Sequence, residues 1–225
     1  MSALNKHLKA GLFFCLLFFS CANVHAQADA KSQSSKVNYG IQFRSGPSFR
    51  KYANELPVSE YTGFNLGADV LSMRYDLDLA ARLNSKWTLF AGLGYSSRNY
   101  LGTYYCHVCD FMMFPFGSER LEFKYLDVPI FARYRVVDRK LGWHVEFGAE
   151  TSFALNKVDS RYESDLRLNP YSVNAFVGTG LDYNLNNSIN FNATCSYRKL
   201  LYSNTAYTFQ ALEVKAGIIY YFKQL

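Results

Sequence analysis

After its first 26 residues, the chain has no apolar segment near the length of about 20 residues that a membrane-spanning helix needs. It has no run of basic residues, so a formal charge of +6 does not indicate nucleic-acid binding. Only two histidines, His107 and His144, follow residue 26, and no nucleophile–base–acid motif accompanies them. We therefore expect no helical span, no nucleic-acid partner, no enzymatic activity and no cofactor.

The N-terminus has the three parts of a secretory signal peptide. Lys6 and Lys9 form a basic start, an apolar run occupies residues 11–19, and Ala26 ends a small-residue cleavage site. An alternative cut at Cys21 weakly resembles a lipoprotein site. We predict a signal peptide at residues 1–26, a short N-terminal segment at 27–36, and one β-barrel domain at 37–225. Without the two signal lysines, the remaining chain carries +4.

The strongest positive signal is the alternation between residues 142 and 155. Trp143, Val145 and Phe147 share one parity, whereas His144 and Glu146 share the other. Successive side chains of a β-strand point to opposite faces, so this segment has one apolar face and one charged or small face. An aromatic content of 17% agrees with strands whose lipid-facing side carries aromatic girdles.

Eight segments with this alternation lie between Val37 and Phe222. Short connections near 84–86, 138–140 and 186–188 alternate with longer ones at 46–62, 99–120, 156–171 and 202–210. Short periplasmic turns and long external loops are typical of outer-membrane barrels. Alternation alone also fits a soluble β-sandwich, but charges on the second face of most strands favour a membrane barrel. We predict an all-β fold, an eight-stranded antiparallel transmembrane β-barrel of the outer-membrane type.

In two of the segments the apolar pattern changes parity. Leu66 and Ala68 are expected to face outward at the start of the second segment, where Tyr75 and Leu77 then take over the apolar face. A similar change falls near Tyr125 in the fourth segment. A β-bulge changes parity within a strand, so the pattern predicts two bulges.

The polar faces of the segments predict a charged barrel interior. A hairpin with Val136 opposite Trp143 aligns two inner pairs, which are Arg133 with Glu146 and Arg135 with His144. Eight strands leave a lumen just wide enough for side chains to fill, and buried charges must be paired. We therefore expect a salt-bridged plug rather than an open pore. The predicted network comprises Arg74, Asp76, Asp78, Arg133, Arg135, His144, Glu146, Glu150, Asp182, Arg198, Glu213 and Lys215.

The connection at 99–120 holds two cysteines and an unusual number of apolar side chains. Cys106 and Cys109 are expected to form a short disulfide in an oxidising compartment, because one C-x-x-C pair supplies too few ligands for zinc. We expect no metal site. Exposed apolar residues mark contact surfaces, so the loop is either a partner site or a cover over the barrel mouth. Its apolar members are Tyr104, Tyr105, Phe111, Met112, Met113, Phe114 and Phe116.

The segment Leu121–Arg135 resembles the fourth-strand pattern of small outer-membrane barrels common in Bacteroidota, the porin-family or PorT-like group. Gly178–Tyr183 and the closing Ala216–Phe222 are similar in style. The resemblance extends over roughly residues 37–223 and implies a small barrel without catalytic residues that could be carried over. The family likeness also suggests accessory work in protein secretion or envelope assembly.

These observations predict a protein of the Gram-negative outer membrane that anchors surface loops for structural or interaction roles. The expected partners are outer-membrane lipid, lipopolysaccharide and an envelope protein. Three alternatives stay open: the secretion accessory, a lipid- or lipopolysaccharide-modifying enzyme, and a narrow channel. The oligomeric state is not predicted.

Overall fold

The computed structural model describes residues 37–51, 55–57, 61–68, 71–106, 117–137, 139–158, 160–161, 170–203 and 210–222. The predicted signal peptide and the segment 27–36 lie outside this part. No helix within the described ranges is long and apolar enough to cross a membrane. The described strands are β1 (Asn38–Lys51), β2 (Glu55–Pro57), β3 (Thr62–Ala68), β4 (Ser72–Arg82), β5 (Trp87–Cys106), β6 (Ser118–Val137), β7 (Leu141–Ala154), β8 (Tyr171–Asn184), β9 (Ile189–Ser203) and β10 (Gln210–Tyr221).

Eight of these strands close into a ring. β1 pairs with β10 on one side and β4 on the other, and β5 joins β4 to β6. β7, β8 and β9 complete the circuit, and every pair is antiparallel. β3 pairs with β5 beyond the first residue of β4, and β2 pairs with β3. The predicted antiparallel eight-stranded barrel is confirmed.

The two ends of the barrel differ. Residues 83–86, 138–140 and 185–188 connect neighbouring strands at one end, where β1 also begins and β10 finishes. We call this the turn end. The longer connections lie at the opposite, loop end. Outer-membrane barrels keep their short turns in the periplasm, so we expect the turn end to be periplasmic and β1 to run outward.

Around the middle of the barrel, apolar side chains face outward. In β4, Leu77 and Leu79 are more than half exposed, whereas Asp76 and Asp78, which alternate with them, are buried. In β10, Leu212 and Val214 are exposed on either side of buried Glu213. An apolar outer band and a polar interior are the arrangement of a barrel surrounded by lipid.

The predicted parity changes are wrong. Side chains keep alternating between the inner and outer faces of the barrel, and the polarity of the two faces is exchanged instead. Leu66, expected outward, is buried with Phe64 on the same inward parity as Arg74. Ala68 of β3 pairs with Tyr100 of β5, and Arg74 of β4 pairs with Ser96 of β5. The chain therefore advances six residues between these two pairings, whereas β5 advances four. The difference of two residues is even, so side chains on both sides of it keep the same inward parity. The side chain of Ala68, also expected outward, lies outside the described part of the chain.

The same inversion occurs in β6. Leu121, Phe123 and Tyr125 are buried on the parity that continues through Asp127 and Arg133. Glu122 and Lys124 on the other face are exposed. At the loop end, apolar side chains therefore face inward and polar ones outward, as in a soluble protein. The resulting loop-end cluster contains Phe64, Leu66, Tyr100, Leu121, Phe123, Tyr125 and Ala211.

Two further expectations need correction. Trp143 pairs with Val137 rather than Val136, because a β-bulge follows Arg135 and shifts the register by one residue. The predicted connection at 99–120 is shorter than expected, since β5 continues to Cys106 and β6 begins at Ser118. Pairing between Thr103 and Ser118 extends this hairpin well beyond β4 and β7.

Candidate functional site

The charged interior is balanced. Among the described residues, seven basic and seven acidic side chains are buried in it, together with His144. Burial of unpaired charge is expensive, so equal numbers allow every charge an opposite neighbour. The basic side chains are Arg44, Arg74, Arg98, Arg133, Arg135, Arg198 and Lys215, and the acidic ones are Asp76, Asp78, Asp127, Glu146, Glu150, Asp182 and Glu213.

Arg74 of β4 is the most connected cation. Its Nε donates to Asp76 Oδ1 at 2.7 Å, and its Nη1 lies 3.2 Å from Asp127 Oδ2. Its Nη2 donates to Glu150, and Glu213 lies 4.0 Å from Nη1. One guanidinium therefore joins carboxylates from four strands, because its planar fork presents five N–H donors.

Glu146 of β7 lies between two arginines. Arg133, its cross-strand partner, approaches its Oε2 at 3.2 Å, which confirms the pairing expected from the hairpin. Arg44 Nη1 lies 3.3 Å from its Oε1. Arg44 also contacts Asp78 at 3.0 Å, and Arg133 contacts Asp182 at 3.4 Å. If Arg133 alone were removed, Glu146 would therefore still have the guanidinium of Arg44 as a partner.

Lys215 and Arg198 complete the network on β10 and β9. Lys215 Nζ lies 3.2 Å from Asp76 Oδ2 and 3.3 Å from Glu213 Oε2. Arg198 contacts the same Glu213 oxygen at 3.0 Å and also pairs with Glu150. Strands far apart in sequence are therefore joined across the lumen by charge-assisted contacts.

Aromatic rings separate parts of the network. Phe90 and Phe131 are stacked with centroids 4.6 Å apart, and Phe176 lies 5.7 Å from Phe131. The Arg44 guanidinium lies over the Phe131 ring at 4.5 Å, and that of Arg133 over Phe90 at 4.8 Å. Cation–π contact orients these guanidinium groups and fills the space between the ion pairs.

His144 forms a buried chain with Asp182 and Thr194. Its Nδ1 is 3.1 Å from Asp182 Oδ2, and its Nε2 is 3.2 Å from Thr194 Oγ1. The order resembles the acid–base–nucleophile relay of hydrolases. Thr194 is 2% exposed and the other two are 0% exposed, so no substrate could reach the hydroxyl in this conformation. These three side chains instead join β7 to β8 and β9 inside the barrel.

All twelve side chains of the predicted network are buried in the interior, but the prediction missed three others, Arg44, Arg98 and Asp127. Arg98 Nη2 lies 3.4 Å from Asp127 Oδ1 and donates to Ser152 Oγ at 2.7 Å. Arg44 occupies the centre of the network. The alternation of each strand could have identified them as inward. Arg44 lies two residues after the inward Gln42, and Arg98 lies two residues after the inward Ser96.

Of the predicted loop features, only part lies within the described residues. Cys106 is disulfide-bonded, while its expected partner Cys109 lies outside them, as does 111–116. Tyr104 packs edge-on against Phe64 at 5.4 Å, so this side chain covers the loop-end cluster. Cys195 is a free, exposed thiol on the outer face. No group of three or more potential metal ligands occurs in the described part.

The ring of strands, its apolar outer band and its ion-paired interior define an outer-membrane β-barrel. The chain belongs to the family described as outer membrane protein beta-barrel domain, whose model matches residues 19–198. The protein is therefore located in the outer membrane of a Gram-negative bacterium. No curated protein sequence matches the chain significantly.

Two solved structures share the fold. Neisserial surface protein A has a TM-score of 0.51 and 15% identity, covering 82% of this chain and 97% of its own. Ail, the attachment invasion locus protein of Yersinia pestis, was solved in complex with the heparin analogue sucrose octasulfate. It has a TM-score of 0.50 and 16% identity, covering 83% of this chain and 99% of its own.

Proposed function

We propose that the protein is a non-enzymatic outer-membrane barrel with a closed interior that holds a surface structure for contact with a partner outside the cell. The single observation that carries this proposal is the sheet of β3, β5 and β6 at the loop end. It combines an apolar inner face with a polar outer face where the strands extend beyond the charged interior.

The length of β5 and β6 supports a projecting sheet. Each has 20 residues, whereas about 10 residues of a tilted strand cross a bilayer. The inversion of polarity in β6 lies between exposed Lys124 and lipid-facing Leu126. The seven residues of Ser118–Lys124 would then extend about 20 Å along the strand beyond the membrane.

The projecting sheet is internally supported. Phe64, Tyr100 and Phe123 are at most 1% exposed, and Tyr100 packs edge-on against Phe123 at 6.1 Å. Leu101 on its outer face is 48% exposed. Loops held on a rigid scaffold are common binding sites, and this scaffold would fix the orientation of the connection at 107–116.

Exposed basic side chains near the loop end favour an anionic component of the outer leaflet as a direct contact. Arg120 and Lys124 of β6, Lys157, Arg161 and Lys199 are all exposed. Lipopolysaccharide phosphates would be attracted to such a surface. The complex of Ail with sucrose octasulfate, a polyanion, is in line with this proposal for a barrel of the same fold.

Photo-crosslinking in intact cells tests the surface role. A photoreactive residue at Leu101 should form adducts with a protein or with lipopolysaccharide, because this position lies on the projecting sheet. The matched control is Leu77, which is 56% exposed but faces membrane lipid. Protein adducts at both positions, or none at Leu101, would contradict a partner site at the loop end.

The identity of a protein adduct also addresses narrower roles. Components of a secretion machine would favour the PorT-like accessory role, which the sequence likeness at Leu121–Arg135 suggests. Lipopolysaccharide alone would favour an anchoring role in the outer leaflet. Chemical modification of that lipid by the purified barrel would instead favour the enzyme alternative.

The closed interior predicts an absence of ion conduction. The 14 buried charges are at most 9% exposed and mutually paired, and rings of Phe90, Phe131 and Phe176 pack between them. The purified barrel in planar bilayers should give no steady conductance, and deletion of 104–116 should not create one. A stable, ion-selective channel in the unmodified protein would move the function to transport.

A further inference from the structure

At the turn end, a cavity of about 430 Å³ is lined by four basic side chains. Arg82 and Arg135 come from the ends of β4 and β6, whereas Arg139 and Lys140 belong to the turn between β6 and β7. No Asp or Glu of the described residues is among those lining it. A volume of this size suits a small organic ligand or a lipid headgroup.

The contrast with the interior is one of charge balance. Arg135 forms an ion pair with Asp182, whose Oδ2 lies 3.5 Å from its Nε. Arg82, Arg139 and Lys140 make no ion pair with any residue in the described ranges. Arg82 instead lies over the Tyr221 ring at 3.9 Å, a contact that orients the guanidinium without neutralising it. Among the described residues, these three cations, of which Arg139 and Lys140 are exposed, therefore have no counter-charge.

An unpartnered acceptor lies beside these cations. Asn190 lines the cavity and is 1% exposed. Its amide nitrogen donates to Asn184 Oδ1 at 2.6 Å, while its own Oδ1 has no hydrogen-bond partner among the described residues. A buried acceptor without a partner costs free energy, which a ligand hydroxyl would recover. The cavity therefore suits an anion that also carries hydroxyl groups.

The cavity lies at the level of the lipid headgroups. Tyr39, Trp143 and Tyr183 are 40–53% exposed on the outer surface near the turn end, where aromatic girdles mark the membrane interface. Ala81 pairs with Tyr39, so Arg82 is one residue beyond the girdle. Lys140 Nζ lies 5.6 Å from the Tyr183 ring centroid, which brings the rim of the cavity to the lipid-facing surface.

We propose that this cavity binds a glycerophosphate group, with the phosphate held by Arg82, Arg139 and Lys140 and a glycerol hydroxyl donating to Asn190. Two sources carry this chemistry, the headgroup of phosphatidylglycerol in the periplasmic leaflet and soluble glycerol 3-phosphate. Charge-assisted contacts from several cations to one phosphate give both affinity and orientation. The site is independent of the surface role proposed for the opposite end.

Native mass spectrometry of the full-length mature barrel tests the lipid source. The protein is released from micelles that contain phosphatidylglycerol and phosphatidylcholine in equal amounts, and the retained lipid is identified. NMR titration with glycerol 3-phosphate, and with chloride at equal ionic strength, tests the soluble source. Selective retention of phosphatidylglycerol assigns the site to the lipid, and perturbation of the turn-end resonances by glycerol 3-phosphate but not chloride assigns it to the soluble ester.

The decisive variant is Arg82→Gln, Arg139→Gln and Lys140→Gln combined. It should weaken binding of the favoured ligand by about tenfold or more, because three charge-assisted contacts are lost. The matched control for a single cation is Lys86→Gln, which removes an exposed charge at the turn end from a residue outside the cavity lining and should retain binding. Folding of both is checked by heat-modifiable migration in gels. If the triple variant does not fold, Lys140→Gln alone, at an exposed turn, should still weaken binding measurably.

Three results would overturn the proposal. One is equal retention of both lipids together with no response to glycerol 3-phosphate beyond that to chloride. Another is unchanged binding in a folded turn-end variant. The third is an equal loss in Lys86→Gln and Lys140→Gln, which would show an effect of local charge rather than of this cavity.

Discussion

The middle of the barrel interior and its loop end face the same lumen but have opposite chemistry. In β6, Asp127 and Arg133 are buried among ion pairs, whereas Phe123 and Leu121 are buried among apolar side chains. The outer face changes in the reverse sense, from Leu126 to the exposed Lys124. The surroundings explain the inversion, because lipid requires an apolar exterior and water permits a polar one. We therefore expect the position of the change to mark the outer boundary of the membrane.

Disturbing the charge balance in the middle of the barrel should have the greatest effect on stability. Arg74→Met removes the cation that contacts four carboxylates and leaves a net negative interior. We expect a loss of about 3–5 kcal/mol in the free energy of unfolding, the cost of breaking a buried ion pair. Urea unfolding in lipid vesicles, followed by fluorescence of Trp87 and Trp143, measures it.

Two further variants test whether the loss of charge balance is the cause of the lower stability. Lys86→Met, at an exposed turn, should change the stability by less than about 0.5 kcal/mol. Arg74→Met with Glu150→Gln restores neutrality, so it should lose less than the two single variants added together. Strict additivity would show that the interior does not act as one charge-balanced network.

A smaller effect is expected in the loop-end cluster. Phe123→Ala removes a ring that is 1% exposed, and we expect a loss of about 3 kcal/mol, at the low end for a buried Phe. The matched control is Glu122→Ala, an exposed neighbour on the same strand. Unfolding in urea again gives the difference. Similar stability for the two variants would mean that the projecting sheet has no core.

The sequence predicted the middle of the barrel better than the loop end, for a physical reason. Where lipid surrounds the strands, apolar side chains point outward, so the parity of Trp143 and Phe147 correctly identified Glu146 as inward. The same rule placed Leu66 outward, but at that height the environment outside the strand has changed. Continuous backbone alternation, counted from Arg74 or Asp127, would have placed Leu66 and Tyr125 inside. The bulge after Arg135 has no comparable signal, because a one-residue shift leaves the pattern of the hairpin intact.

The mildest changes in stability are expected at two glycines of β5. Gly94 and Gly102 both lie on the inward parity of β5, eight residues apart, and each can be changed to alanine. A Cβ at Gly94 would clash with Asp76 Oδ1 and lie 3.2 Å from Arg74 Nη2. A Cβ at Gly102 would lie 2.7 Å from Leu121 Cδ1 and 3.1 Å from Phe64 Cδ1.

The two methyl groups meet neighbours that differ in their freedom to move. Asp76 is held by Arg74 and Lys215, so relief of the clash at Gly94 must lengthen ion pairs, and Gly94→Ala should cost about 1–3 kcal/mol. The ends of Leu121 and Phe64 can shift within an apolar cluster, where no hydrogen bond is lost. Gly102→Ala should therefore cost less than about 1 kcal/mol, since added apolar contact offsets part of the strain. Urea unfolding of both variants under identical conditions gives the comparison. If Gly102→Ala were the more damaging change, the loop-end cluster would be the rigid part of the interior and the ion-paired middle the adaptable one.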